Sequence, residues 1–272
     1  MPLCQMHKNI EDEVVDFTAH VPSAGEESIT DYLFWRWSLL NQKNSHLVAK
    51  SFTKHEESKT TGADFEMEIW FIGDIYSLPL AIQAKKISNE HKAYRSAFSY
   101  PNDTKQQINT LLNYTKQNKR VPLYMLYSQS AVYPYSKTPD CGVYIASAFD
   151  IETFANLPKG TNLSKSKILE KCIHFYQLFC DLKQDGIDDS VSIQEITNRL
   201  KELLSKKSAR KNNFVEQIEN SKTEILPDYV TLISESTQQQ LDSDRRLRQD
   251  IHKMIESDHL VEPRKIIVVD IR

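Results

Sequence analysis

Asp64 and the tripeptide Gln83-Ala84-Lys85 are the residues whose types and spacing best match a chemistry. They lie in two apolar stretches, 64–72 and 78–87, separated by Gly73-Asp74, which begins a turn. The first stretch alternates strictly. Asp64, Glu66 and Glu68 share one face; Phe65, Met67, Ile69 and Phe71 share the other. The second stretch also predicts a strand. Opposed residues in an antiparallel pair have numbers that sum to a constant. A sum near 149, compatible with a turn over 73–77, sets Asp64 opposite Lys85 and Glu66 opposite Gln83, on strands about 4.8 Å apart. Gln83 and Lys85 then share a face.

This grouping suits phosphodiester hydrolysis. A hard cation such as Mg²⁺ takes oxygen ligands, usually with only one or two carboxylates. Asp64 offers a carboxylate, and the Gln83 amide oxygen and the Ala84 backbone carbonyl offer two neutral donors. The metal polarises the phosphoryl oxygen and generates a hydroxide-like nucleophile. Lys85 then orients that water or stabilises charge on the pentacovalent phosphate. A lysine in the middle of a hydrophobic sheet needs such a reason, because a buried ammonium requires a partner. The bland reading is an ordinary α/β domain in which Lys85 is an exposed edge-strand lysine. Glu66 and Glu68 read first as a solvated strand face, with Glu66 also open as an outer acid of the site.

The surrounding pattern supplies a scaffold. Residues 25–41 read as a helix, with Ile29, Leu33, Trp37 and Leu40 at helical spacing. Ser23 is an N-cap candidate, and Glu26 follows at capping-box spacing. Residues 46–56 read as a strand and 103–118 as a helix with Ile108, Leu111 and Leu112 inward. Residues 121–128 are nearly all apolar, as expected of a strand buried on both faces. From 25 to 128 the order is therefore helix, three strands, helix, strand. Residues 142–148 offer a fifth strand, helical patterns follow at 165–183, 192–206 and 236–257, and 264–272 is a strong terminal strand that should pair onto the main sheet. Residues 1–24 read as a weakly structured lead-in with a helix around EDEVVDF. With no repeat and no long linker, the chain reads as one domain: a lead-in, a core over 25–150, and a mainly helical extension over 151–272 whose last strand returns to the core.

The αβββαβ order, GAD (62–64) and QAK (83–85) resemble the PD-(D/E)XK, or restriction-endonuclease-like, nucleases. The resemblance covers residues 25–128 and is silent on 150–272. It implies an α/β fold with an αβββαβ core and a mixed central sheet. It implies a Mg²⁺-dependent nuclease, with Mn²⁺ able to substitute, that hydrolyses DNA phosphodiester bonds in bacterial antiphage defence or repair. RNA stays open as a substrate, as does a homodimer or a protein partner. Gln83 stands where most of the superfamily has an acid, as in the variant used by methylation-directed restriction enzymes. The resemblance further implies that Glu26, with Glu27 as the neighbouring alternative, completes the site from the first helix, and that Gln107 lies near the substrate. Read alone, Glu26 is equally a capping-box acid and Gln107 a surface glutamine. Two rival functions remain: a nuclease-fold module with a decayed site that binds nucleic acid or protein, and a helical adaptor acting through its C-terminal half.

Composition narrows the classes further. Hydrophobic residues make up 40% and charged residues 26%, ordinary for a soluble globular chain. No apolar run approaches the roughly 20 residues that span a bilayer. The N-terminus lacks a basic-then-apolar leader, so the expected compartment is the cytoplasm, with no membrane partner. A net charge of −3 does not advertise nucleic-acid binding. Any such contact needs a local patch, for which Lys206, Lys207, Arg210 and Lys211 are the candidates and a solvated helix end the bland reading. Cys4, Cys141, Cys172 and Cys180 are scattered and read as free, partly buried thiols. On a helix, Cys172 and Cys180 would stand about 11 Å apart, too far for one tetrahedral zinc. Tyr94 and Tyr100 read as packing residues more than as base-stacking ones. There is no G-x-S-x-G, P-loop or H-E-x-x-H, and 6 glycines in 272 residues argue against phosphate-cradling loops.

Overall fold

The computed structural model describes residues 3–41, 47–51, 67–88, 94–99, 107–130, 138, 140–180, 191–258, 263 and 265–272. Asp64, Glu66 and Tyr100 lie outside the described residues. Helices α1 (Leu3–His20) and α2 (Glu26–Asn41) open the chain. Strands β1 (Leu47–Ser51), β2 (Met67–Ile72) and β3 (Ser77–Ile87) follow, then helices α3 (Tyr94–Phe98) and α4 (Gln107–Gln117) and strand β4 (Val121–Ser128). Next come β5 (Gly142–Ser147), α5 (Ala148–Ala155), α6 (Lys165–Leu169), β6 (Cys172–His174) and a 3₁₀ turn at Phe175–Phe179. The rest is helical until the end: α7 (Ile193–Arg199) runs into a π turn at Leu200–Leu204, and α8 (Lys211–Ser221), α9 (Asp228–Ser234), α10 (Gln238–Ser243) and α11 (Arg245–Asp258) precede β7 (Lys265–Asp270).

The strands form one mixed sheet in the order β1-β7-β2-β3-β4-β5-β6. Every described residue of β2 and all of β4 and β5 are buried, because helices cover both faces. On one face α1, α2, α7 and α8 pack on Met67, Ile69, Phe71, Leu80, Ile82 and Met125. On the other, α3 to α6 cover β3 to β5, and α9 to α11 cover Trp70, Ile72, Ile266 and Val268. The terminal strand does pair with the main sheet, wedged between β1, antiparallel, and β2, parallel. It therefore separates the first two strands of the expected αβββαβ order.

The β2–β3 hairpin holds the expected register. Met67 opposes Ile82, Glu68 opposes Ala81, and the pairing continues to Ile72 opposite Ser77, so each pair sums to 149. The turn needs Gly73: a Cβ there would stand 2.4 Å from Ile193, whose helix α7 lies against the hairpin. Local signals also divide the polar 236–257 pattern. Thr237 and Gln240 form a capping box for α10, and Asp244 Oδ1 accepts from the backbone of Arg246 and Leu247, starting α11 afresh.

Four expectations are corrected. The 165–183 helix stops at Leu169, because β5 takes Cys172–His174 as an antiparallel neighbour and strand pairing overrides the helical pattern. The lead-in is an 18-residue helix, since Met6, Ile10 and Val14 bury one stripe on the core. Cys4 and Cys180 are joined by a disulfide that ties α1 to the 3₁₀ turn, leaving Cys141 and Cys172 free. Glu68 is not solvated but fully buried at 0% exposure. Flanked by β3 and β7, it is neutralised by Arg120, which salt-bridges it, and by Tyr229 Oη, which donates to it at 2.7 Å. Burial alone would lower the Arg120 pKa, but Glu68, Tyr229 and Tyr114 together raise it.

Candidate active site

Alternation along β3 puts Ala81, Gln83, Lys85 and Ile87 on the α3–α4 face, and Ile82 and Ala84 on the α1–α2 face. Gln83 is 4% exposed, and its Nε2 lies 3.5 Å from the Ala84 carbonyl oxygen, the weak limit of a hydrogen bond. Lys85 follows on the same face, level with Leu126 of β4. Its side chain is 13% exposed, which removes the reading of a solvated edge-strand lysine.

Glu26 reaches this strand from the first turn of α2. Its Oε2 accepts from Lys85 Nζ at 3.3 Å, and its Oε1 accepts from the Lys86 backbone N–H at 3.1 Å. The helix begins at Glu26 itself, and Ile29 N–H donates to the Gly25 carbonyl. Glu26 is therefore the first helical residue and not the third, and its carboxylate turns to β3 in place of a capping box around Ser23. Three further contacts fix the approach. Lys86 Nζ donates to the Pro22 and Ala24 carbonyls at 2.6 and 3.0 Å. Thr30 Oγ1 donates to the Glu26 carbonyl at 2.8 Å and lies 2.8 Å from the Tyr127 hydroxyl on β4. Burial, with the Glu26 charge second, pushes the Tyr124 hydroxyl above its usual range.

Glu27, next to Glu26, is on the exposed side of α2. Gln107 opens α4 on the face that carries Gln83 and Lys85, and its Oε1 is buried with no hydrogen-bond partner. Tyr94 packs in the core and donates to the Ser88 carbonyl. The basic patch is not brought to this place. Lys206, Arg210 and Lys211 are exposed and Lys207 is half-buried. Arg210 salt-bridges Glu152, and Ala209 N–H donates to Asp150 at the start of α5. That helix follows Ser147, which pairs with Leu123, whereas Lys85 is level with Leu126, about 10 Å further along β4.

Three groups on or beside this stretch of β3 carry oxygen donors: the Glu26 carboxylate at Lys85, the Gln83 amide and the Ala84 carbonyl. That set suits a hard cation. Among the described residues, no group of three or more His, Cys, Asp and Glu residues is arranged to hold a metal ion. Asp64, the carboxylate assigned to the metal from the sequence, lies outside those residues. The contributions of Lys86, Thr30 and Tyr127 were not legible in the motif, although Thr30 and Glu26 at i and i−4 mark one helix face. Among the described residues, no helix is long and apolar enough to cross a membrane.

No curated protein and no solved structure matches the chain. A family model described as a family of unknown function, DUF6615, matches residues 3–269. Because that match spans nearly the whole sequence, the chain belongs to the DUF6615 family.

Proposed function

We propose that the chain is a metal-dependent nuclease that hydrolyses DNA phosphodiester bonds, built on a restriction-endonuclease-like core, with Lys85, Glu26, Gln83 and Asp64 as its site. The observation that carries the reading is the convergence of Glu26, from the first turn of α2, on Lys85 in β3, beside a hairpin whose register sums to 149. Sequence distance alone gives no cause for a glutamate 59 residues upstream to meet that lysine.

In hydrolysis the oxygen of water bonds to phosphorus, the bond from phosphorus to the leaving sugar oxygen breaks, and that oxygen takes a proton. Glu26 holds the Lys85 ammonium along the sheet rim. From there Lys85 stabilises the charge that grows on the phosphoryl oxygens. The buried Gln83 presents a neutral amide on the same face, and the buried Gln107 oxygen takes a donor from substrate or water. Asp64, the Gln83 amide oxygen and the Ala84 carbonyl would hold Mg²⁺ or Mn²⁺. When bound, the ion polarises a phosphoryl oxygen and lowers the pKa of its water.

A second reading, a decayed site kept as a binding module, draws on two observations. Gln83 lacks the usual charge, and Glu26 is engaged by both Lys85 and the Lys86 amide. Supercoiled plasmid incubated with Mg²⁺ or Mn²⁺ separates the readings. Wild type should nick or linearise it, and Lys85→Ala, with an unchanged circular dichroism spectrum, should cut at least about 10²-fold more slowly. Equal cutting by both proteins would remove Lys85 from the mechanism.

A further inference from the structure

Helix α1 is held differently along its two halves. From Glu11 onward, polar and aromatic contacts tie it to its neighbours. Glu11 Oε1 lies 2.7 Å from His174 Nδ1, and Glu13 accepts from Arg36 of α2 at 2.6 Å. Phe17 stacks on Tyr32 with centroids 4.4 Å apart, and the Thr18 carbonyl accepts from Gln129 Nε2 at 3.3 Å. The first two turns instead carry a polar group that nothing serves. His7 is 4% exposed and set among Phe175, Phe179 and Trp37. Neither of its ring nitrogens has a hydrogen-bond partner, and neither has Trp37 Nε1 in the same cage. Burying such groups unpaired is costly, and swinging the start of α1 outward would return them to water. Met6 and Ile10, both buried, oppose that movement. The Cys4–Cys180 bond brackets the cage. Cys4 stands one turn before His7 on the same helix face, and Cys180 follows Phe179, the ring on which His7 stacks. Both cysteines are half-buried, so neither is sealed within the core.

We propose that Cys4–Cys180 is a redox latch on the first two turns of α1, shut when oxidised and free to open locally once a dithiol reduces it. In the reduction, one thiolate of the dithiol attacks a sulfur of the bond and forms a mixed disulfide. The second thiol of the reagent then closes on the first. The dithiol leaves as its cyclic disulfide, and its two electrons and two protons end on Cys4 and Cys180. With the bond open, residues 3–10 swing out, His7 and Trp37 gain water, and Phe175 and Phe179 lose their cover. The opening stops near Ile10, because the contacts of Glu11, Glu13, Phe17 and Thr18 hold the rest of the helix. Local opening of this kind, confined to one segment of an otherwise folded chain, costs less than global unfolding. The latch is separate from the Glu26–Lys85 pair and does not depend on the nuclease reading.

Amide hydrogen exchange of the full chain, read peptide by peptide by mass spectrometry, tests this with dithiothreitol as the reductant. Reduction should speed exchange over residues 3–10 by about tenfold or more, while 14–20 and 121–128 change by less than roughly twofold. Cys4→Ala with Cys180→Ala should exchange like the reduced wild type whether or not dithiothreitol is present, which assigns the effect to this bond and not to Cys141 or Cys172. His7→Phe keeps the ring but has no nitrogen to hydrate, so in the reduced state it should slow the opening toward the oxidised rate. Three results would overturn the proposal: a bond that dithiothreitol leaves intact in the folded chain, exchange over 3–10 that ignores reduction, or a rise of the same factor in every peptide, which would make the bond a clamp on the whole fold. A reduced His7→Phe protein that opens as fast as the reduced wild type would overturn it as well. Reduction of the wild type needs no substitution, so the first three results can be read even if a variant does not fold.

Discussion

His7 sits where a charge cannot follow it. Its ring stacks on Phe179 with centroids 3.7 Å apart, and it meets Phe175 and Trp37 at 5.8 and 6.2 Å. Neither ring nitrogen has a hydrogen-bond partner. Burial holds its pKa down to about 3, against the usual 6.5. A base depressed in the folded state but free to protonate when unfolded withdraws stability as pH falls. The loss begins as pH drops through 6.5, where the unfolded imidazole takes up its proton, and levels off near 3, where the folded ring does. Between those limits it grows by about 1.4 kcal/mol per pH unit, reaching roughly 3 kcal/mol near pH 4.5. That is a sizeable part of a stability that for most domains is about 5–15 kcal/mol. His7→Phe keeps a flat ring in the same aromatic cage, removes both unpartnered nitrogens and cannot ionise. Urea unfolding of the two oxidised proteins, from neutral pH down to about pH 4.5, gives the difference directly, because the carboxylates titrate in both and cancel. The variant should be at least as stable at neutral pH and should gain roughly 3 kcal/mol on the wild type by pH 4.5. Stability curves that stay parallel across this range would refute the claim that His7 is buried neutral.

The other predictions concern the buried ion pair, the disulfide and the site. Arg120→Met strands the Glu68 charge in the core and should cost about 3–5 kcal/mol in urea unfolding. The double variant with Glu68→Gln should recover much of that, and if it is no better than the single one, the two residues are not coupled. Reducing Cys4–Cys180 opens a loop spanning 176 residues, which in the chain-entropy view removes up to about 5 kcal/mol; a thermal midpoint indifferent to a phosphine reductant would show that the bond does not clamp the native state. Gln83→Glu changes size little and adds a negative charge beside the proposed cation, so cleavage at low Mg²⁺ should hold or rise. A silent wild type with an active glutamate variant identifies a decayed nuclease, whereas two silent proteins that bind no Mn²⁺ end the nuclease reading.

Local periodicity carried a large part of this fold. The alternation over 64–72, the turn beginning at Gly73 and the apolar run at 78–87 pointed to a hairpin with pairs summing near 149, because a short turn fixes which residues of its two strands stand opposite, and the described pairs carry that sum. The terminal strand was legible for a similar reason, since KIIVVD has no stable place outside a sheet. Which strands it would join was not, because a period-two pattern names a face and not a neighbour. The motif singled out Gln83 and Lys85 and the resemblance added Glu26, whereas the 3.3 Å approach of Glu26 to Lys85 came from the tertiary structure. Only that structure turned Glu26 from a capping position to β3, by starting α2 at Glu26 and anchoring the preceding loop to Lys86. Only that structure buried Glu68, because the cation and hydroxyl that neutralise it come from residues 120 and 229. The same holds for Cys4 and Cys180, and for Glu11 and His174, which stand 176 and 163 residues apart in sequence. Sequence pattern reports which face of an element is apolar over a few turns. What covers that face, and whether a polar group on it finds its partner, is decided by distant segments whose arrival no short-range spacing encodes.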